Sequence, residues 1–357
     1  MTDTPPDSPS SLTYAASGVD IEAGNEAVRR IQRMVSRTRR PEQIDGLGGF
    51  AGLMALPSGL KDAVLVSCTD GVGTKLLVAI AMEKHDTVGI DLVAMNVNDL
   101  LCTGGLPMFL LDYVATGKVE AGVVESIVSG VVEGCVQSQC ALIGGETAEL
   151  PGMYSKGHYD LAATAVGVVE REQIWAPRNA KAGDVIVALP SNGLHSNGYS
   201  LARRALLDPK FAGLKLDAPL ADSSDSVGEA LLRPTRIYAP QIRRIHQLEG
   251  MPVHSAAHIT GGGLIENPQR AIEEDLALEI DLSSVPLPPV IAAVRDQGVA
   301  DSEMLRTFNC GVGMLLYVDP ERVDEVCETL GEGIVAGRLV PRGGSDHEQV
   351  RIVARRW

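Results

Sequence analysis

One stretch constrains this chain more than any other: Thr69-Asp70-Gly71-Val72-Gly73-Thr74-Lys75, placed directly after the apolar run Ala63-Val64-Leu65-Val66-Ser67-Cys68. The run reads as a strand that delivers an acid, two glycines, a hydroxyl and an ammonium into a single turn. Such a turn suits a metal–polyphosphate. Its glycines let backbone N–H groups approach anionic oxygens, Lys75 supplies a point charge, and Asp70 can hold a divalent cation. The order and spacing are not those of a Walker A loop. Standing alone, the stretch also fits an ordinary Asp-Gly turn, so its meaning depends on what accompanies it.

The 357 residues are enough for two domains. No uninterrupted apolar run approaches the ~20 residues needed to span a bilayer. The first thirteen residues, MTDTPPDSPSSLT, lack the basic region and apolar core of a signal peptide and read as a disordered tail over 1–13. The six cysteines (Cys68, Cys102, Cys135, Cys140, Cys310, Cys327) contain no C-x-x-C pair and mostly lie in apolar runs. They read as buried thiols in a reducing compartment, so a cytoplasmic protein without a membrane is expected. A formal net charge of −15 argues against a nucleic-acid partner. The local exception is Arg29, Arg30, Arg33, Arg37, Arg39 and Arg40, on a helix expected over 23–38 with Ile31, Met34 and Val35 on its apolar side. That face reads as solvated, with contact to a phosphorylated ligand as the alternative.

Gly46-Leu47-Gly48-Gly49-Phe50-Ala51-Gly52 formally contains G-x-G-x-x-A, but no strand precedes it, so it is not a dinucleotide signature. From residue 63 onward, strands and helices alternate. Strands are expected at 63–69, 107–116, 139–147 and 160–169, with helices near 76–84, 90–103 and 119–137. The pattern breaks around 176–184. A second series follows, with strands at 184–190, 253–259, 276–282, 310–318, 334–340 and 350–354 and helices at 198–207, 234–247, 264–274, 288–297 and 320–330. The fold class is therefore α/β (α+β), two mixed domains over 14–175 and 176–357.

On the helix expected from Asp91 to Leu101, Asp91, Asn98 and Asp99 fall close to one line, seven and eight positions apart. Carboxylates on so apolar a helix are costly to bury unless paired or bound to metal; Asp91 as an N-cap and Asp99 facing solvent are the plainer readings. Gly144-Gly145-Glu146-Thr147 puts another carboxylate at a turn a ligand can approach, or forms a Gly-Gly turn with a surface acid. With Asp70, Asp91 and Asp99, Glu146 completes an oxygen set suited to Mg²⁺. Two further loops precede helices: Gly193-Leu194-His195-Ser196-Asn197-Gly198 and His258-Ile259-Thr260-Gly261-Gly262-Gly263. Their hydroxyls, amides and N–H groups suit an anion, and His195 and His258 are each placed to move a proton, though a lone histidine is more often structural. His85, His158, His246, His254 and His347 lack such settings.

Taken together, these segments resemble the phosphoribosylformylglycinamidine cyclo-ligase (AIR synthetase) family of purine biosynthesis. The resemblance runs from about Leu12 to the C-terminus. It rests on GVDIEAGN, TRRPE, GLGGF, DGVGTK, GIDLVAMNVNDL, FLLDYVATGK, GGETAELPGMY, GLHSNGYSL, PTRIY, HITGGG and TFNCGVGM. The wider superfamily, with thiamine-phosphate kinase and a hydrogenase-maturation protein, shares the DG-type and carboxylate elements but not this full set. One departure is Gln32, where family members can carry lysine.

The resemblance implies a homodimer whose N-terminal domains pair strands into a barrel, with ATP and Mg²⁺ in a cleft near that interface. It makes Asp70, Asp91, Asp99 and Glu146 candidate metal ligands. Asp70, Gly71, Gly73, Thr74, Lys75, Asn98, Gly145, Glu146 and Thr147 become candidate ATP-site residues. Ser196, Asn197, Gly198, Thr260, Gly261, Gly262 and Gly263 become candidate contacts to the substrate. His195, His258 and Lys75 are the candidate catalytic groups. The implied reaction is ATP-dependent closure of formylglycinamidine ribonucleotide to aminoimidazole ribonucleotide, through an iminophosphate, with release of ADP and phosphate.

Overall fold

The computed structural model describes residues 21–44, 48–344 and 348–357. The expected tail at 1–13, part of the 46–52 glycine stretch and His347 lie outside them. Helix α1 spans Ile21–Val35, with a 3-10 turn at Ser36–Thr38. The first sheet comprises β1 (Ala63–Gly71), β2 (Leu106–Thr116), β3 (Ala141–Glu149) and β4 (Tyr159–Glu170), in spatial order β1-β4-β2-β3. β4 runs antiparallel to both β1 and β2, whereas β2 and β3 are parallel. A parallel pair needs a crossover, and α4 (Ala121–Ser138) supplies it. After the short α2 (Leu76–Ala81) comes α3 (Asp86–Leu101), in which twelve of sixteen residues are buried. It is apolar nearly all round because the sheet, α4 and the second domain enclose it.

α3 and α4 cross at glycines. A Cβ on Gly89 would stand 2.2 Å from the Ile127 carbonyl oxygen, and one on Gly130 only 1.9 Å from that of Asp86. Both helices lie on one face of the sheet. The other face is bare in the single chain: Leu65, Leu111 and Tyr113 are 62%, 39% and 40% exposed.

The second sheet holds β5 (Val185–Pro190), β6 (Val253–His258), β7 (Leu276–Asp281), β8 (Val312–Val318), β9 (Ile334–Pro341) and β10 (Val350–Ala354), ordered β10-β7-β9-β5-β8-β6. It is antiparallel except for the β10/β7 pair. β8 reads Val-Gly-Met-Leu-Leu-Tyr-Val and is buried throughout, as a strand covered on both faces must be. Its helices are α5 (Tyr199–Leu207), α6 (Val227–Leu232), α7 (Ala239–Ile245), α8 (Gly263–Glu266), α9 (Pro289–Arg295), α10 (Asp301–Thr307) and α11 (Val323–Leu330).

Three departures from the sequence pattern have physical causes. The helix expected at 264–274 stops at Glu266, because Pro268 cannot donate to the helical ladder and a 3-10 turn, Pro268–Ala271, follows. The helix expected at 234–247 begins only at Ala239. The segment before it bonds to another domain instead: Thr235 N–H to Asp91, and Tyr238 N–H to Asn98. α6 was not expected, although Ser226 and Glu229 form a capping box at its start; α10 was not expected either.

Candidate active site

β1 ends in Asp70, which is half buried and accepts the Gly71 N–H at 2.7 Å. Burial pushes its carboxyl above the ordinary range; the Gly71 amide opposes this, Asp99 adds to it and His258 opposes it. Asp99, in the last turn of α3, faces His258 at the end of β6, with Oδ1 2.8 Å from Nδ1. The carboxylate thereby holds the Nδ1–H tautomer, leaving Nε2 as an acceptor toward Asn98 Nδ2 at 3.5 Å. The Asp70–Asp99 repulsion is the kind a divalent cation relieves. Among the described residues no group of three or more His, Cys, Asp or Glu could hold a metal ion. The pair Asp70 and Asp99 would suit Mg²⁺ only in the mode where one or two carboxylates are joined by phosphate oxygens and water.

Lys75, Asp91 and Asn98 are placed differently from the sequence expectation, buried and spent on protein partners. Lys75 Nζ donates to Asp91 Oδ1 at 2.8 Å, to the His195 carbonyl at 3.0 Å and to the Arg233 carbonyl at 2.7 Å. Asp91 also accepts Thr235 N–H at 2.7 Å and Thr235 Oγ1–H at 2.6 Å. Asn98 donates to the Arg236 carbonyl at 2.8 Å and accepts Tyr238 N–H at 3.0 Å. In this arrangement Lys75, Asp91 and Asn98 join the first domain to the second through these protein partners. Lys75 points inward because the Gly73–Lys75 3-10 turn runs straight into α2, while Gly73 and Thr74 stay exposed.

His195 is 1% exposed, lies in the left-handed region at φ +61°, and has no hydrogen-bond partner for either ring nitrogen among the described residues. Burial holds its pKa well below the ordinary histidine value, and the nearby His258, Lys75 and Arg236 add to the effect. Ser196 Oγ lies 3.0 Å from Thr235 Oγ1. Gly198, at φ +73°, must be glycine on space as well, since a Cβ would stand 2.3 Å from the Phe308 ring. The 195–198 and 260–263 loops meet: a Cβ on Gly261 would sit 3.5 Å from Asn197 Oδ1. Thr260, Gly262 and Gly263 are held by Asn267, whose Oδ1 accepts Thr260 N–H at 2.9 Å, and by the turn that starts α8.

Gly145, Glu146 and Thr147 are not gathered with Asp70 in one chain. They lie on β3, the edge of the sheet opposite β1, about 14 Å away at ordinary strand spacing. Gly145 leaves room for Asp112, since a Cβ there would be 2.0 Å from Asp112 Oδ1. Burial pushes the Asp112 carboxyl up to about 7. Sequence reasoning assigned no role to Asp112, Thr235 or Arg270. Arg270, Asn267, Cys68 and Cys102 line, with Asp99 and His258, a cavity of about 310 Å³ between the domains. A larger one, about 510 Å³ and bordered by His85, Lys118 and Tyr159, holds none of the expected site residues.

Two stacked mixed α/β domains meeting at a carboxylate–histidine cleft define the class, and the comparisons agree. The AIR synthase related protein N-terminal domain model matches residues 51–169, and the C-terminal domain model matches residues 181–348. The chain belongs to the AIR synthase related family. Within it, the chain is 51% identical over 344 residues to a phosphoribosylformylglycinamidine cyclo-ligase from Sorangium cellulosum, covering 95% of this chain and 98% of the relative. Among solved structures, thiamine-monophosphate kinase from Stenotrophomonas maltophilia aligns with TM-score 0.63 at 22% identity, covering 92% of this chain and 96% of that one. A hydrogenase maturation protein HypE in complex with ATP aligns at 0.65 and 16%, covering 91% of each chain. Those two likenesses establish the fold alone. No described helix is long and apolar enough to cross a membrane.

Proposed function

We propose that this chain is an ATP-dependent cyclo-ligase that closes formylglycinamidine ribonucleotide to 5-aminoimidazole ribonucleotide, releasing ADP and phosphate in purine biosynthesis. The observation that carries this reading is the 51% identity with a cyclo-ligase across 95% of the chain.

An amide oxygen leaves poorly. Transfer of the γ-phosphoryl group to the formyl oxygen gives an iminophosphate, whose phosphate leaves well. The substrate's own amidine-side nitrogen then attacks the formyl carbon, the ring closes, and phosphate departs. Asp70 and Asp99 would hold Mg²⁺, which neutralises charge on the transferring phosphoryl group when bound. The glycine-rich 260–263 loop and the Ser196–Gly198 turn, facing each other, are suited to anionic and hydroxyl groups of the nucleotides. His258 Nε2, the acceptor edge left by Asp99, would take the nitrogen proton lost on closure once its 3.5 Å contact with Asn98 Nδ2 gives way. His195, neutral and with free ring nitrogens, is suited to donate or accept a hydrogen bond from the substrate.

A homodimer is part of the proposal. The bare sheet face with Leu65, Leu111 and Tyr113 is what such a pairing would cover. Glu146 is exposed and lies in register with Tyr113, so it would reach a phosphate or Mg²⁺ only at the junction of two subunits. A cytoplasmic setting follows from the same reading.

The test is ADP release from formylglycinamidine ribonucleotide, ATP and Mg²⁺, with the product identified by mass. A dehydrated, ring-closed ribonucleotide is expected. A stable phosphorylated product would place the chain with the small-molecule kinases of the same fold, and no turnover would remove the substrate assignment.

A further inference from the structure

We propose that Thr235 is a positioning residue that sets the orientation of the His195 imidazole, acting through Asp91 and Lys75. This rests on the reading of His195 as a substrate-facing group.

Thr235 commits both of its hydrogens to one carboxylate oxygen. Its N–H and its Oγ1–H donate to Asp91 Oδ1 at 2.7 and 2.6 Å. With that hydroxyl proton spent, Ser196 Oγ must be the donor in its 3.0 Å contact with Thr235 Oγ1. On the other side, Lys75 Nζ bridges Asp91 Oδ1, at 2.8 Å, to the His195 carbonyl, at 3.0 Å. The peptide between His195 and Ser196 is thus gripped at both ends, and both grips converge on Asp91.

The side chain they carry has no comparable restraint. Neither ring nitrogen of His195 has a partner among the described residues, although the residue is 1% exposed. The ring is neutral, so no ion pair orients it. Tyr238 stands beside it with ring centroids 6.4 Å apart, and a Cβ on Gly313 would come within 2.9 Å of its Cε1. Walls limit where the ring can go, but the backbone decides where it starts. That backbone is left-handed, at φ +61°, a conformation a non-glycine residue keeps only when its surroundings impose it. Asn309 Nδ2 holds the Gly193 carbonyl at 2.9 Å earlier in the turn, and the Lys75–Asp91–Thr235–Ser196 circuit bonds to it at His195 and Ser196 themselves. A hydroxyl 40 residues along the chain therefore sets the angle of a ring it does not touch.

The experiment compares Thr235→Val, Thr235→Ser and Ser196→Ala with the wild type in the full chain. It measures kcat, KM for ATP, the His195 ring ¹H–¹³C resonances and the thermal midpoint. Thr235→Val is expected to lower kcat at least ~10-fold with less than a ~3-fold change in KM for ATP, and to move the His195 ring resonances. Thr235→Ser should restore both. If Thr235→Val does not fold, Ser196→Ala, which cuts the Ser196 grip and leaves Asp91 its other partners, should show the same pair of changes. Unmoved ring resonances in a folded variant, or Thr235→Ser no better than Thr235→Val, would overturn the proposal. If the wild type makes no ring-closed product, the functional reading fails, while the ring resonances still judge the positioning.

Discussion

Lys75 Nζ lies 2.7 Å from Asp91 Oδ2, and neither side chain has any exposed surface. Two charges taken wholly out of water are tolerable only because each has several polar partners: three acceptors around the ammonium and three donors around the carboxylate. Burial disfavours the Lys75 ammonium, and Asp91 opposes that effect. Removing one partner strands the other. Lys75→Met is expected to cost about 3–5 kcal/mol, read as a lower urea midpoint with an unchanged slope. A midpoint equal to that of the wild type would mean the pair does not form in solution.

Asp70 is a metal ligand in the proposed function, and its substitution should separate binding from folding. Asp70→Asn keeps the shape and removes the charge. The half-saturating Mg²⁺ concentration for turnover should rise at least ~10-fold, with a thermal midpoint within a few degrees of the wild type. Because burial raises the Asp70 carboxyl, a proton competes with the metal at higher pH than usual. Apparent Mg²⁺ affinity should therefore weaken as pH falls through that raised value, and Asp70→Asn should lose that dependence. Full turnover by the variant at limiting Mg²⁺ would exclude Asp70 as a ligand.

His258 is oriented by Asp99 at 2.8 Å, so its two variants should differ in kind. His258→Ala should lower kcat about 10²–10⁴-fold while ATP binding by calorimetry stays near wild type. Asp99→Asn should also raise the half-saturating Mg²⁺ concentration, since Asp99 faces both the histidine and Asp70. Unchanged steady-state kinetics in His258→Ala would leave that histidine a structural part only.

Asp112 makes a pH prediction whose sign is opposite to that of a salt-bridged carboxylate. Its folded pKa of about 7 lies above the unfolded value of 3.8, so the native state holds a proton that the unfolded chain has lost. The contribution is full below the unfolded value and fades as pH rises through about 7. Between those limits it lowers stability by at most about 1.4 kcal/mol per pH unit. Asp112→Asn, permanently neutral, should remove this slope. Urea unfolding at pH 5, 6, 7 and 8 should show the variant gaining on the wild type as pH rises; parallel curves would show Asp112 already ionised.

Gly130 sits where α4 crosses α3, and its missing Cβ lets the two backbones touch. Gly130→Ala puts a carbon 1.9 Å from the Asp86 carbonyl oxygen. Backbone on both sides leaves nothing flexible to yield, so a loss of about 2–3 kcal/mol or more is expected despite the gain in helix propensity. A variant as stable as the wild type would mean the helices can separate at no cost.

The sequence by itself determined the strands, most of the helices and the family. Strands such as Val312–Val318 are legible because burial on both faces demands an unbroken apolar run. The turns after β1, β5 and β6 are legible because glycines and hydroxyls break that run at fixed places. What it could not determine was the partner of each polar side chain. On α3, Asp91, Asn98 and Asp99 share a line, and their spacing gives all three the same expected role. Tertiary structure separates them: Asp91 meets Lys75 and Thr235, Asn98 meets Arg236 and Tyr238, and only Asp99 keeps a partly open carboxylate, 39% exposed beside His258. In the same way Glu146 and Asp70 look like one set in sequence yet occupy opposite edges of one sheet. Local pattern fixes the direction of a side chain within its own helix or strand. Which partner waits there is decided by tertiary packing, which brings Lys75 from 16 residues and Thr235 from 144 residues away to Asp91, and His258 from 159 residues away to Asp99; that choice divides the buried carboxylate that holds the domains together from the open one that can meet a ligand.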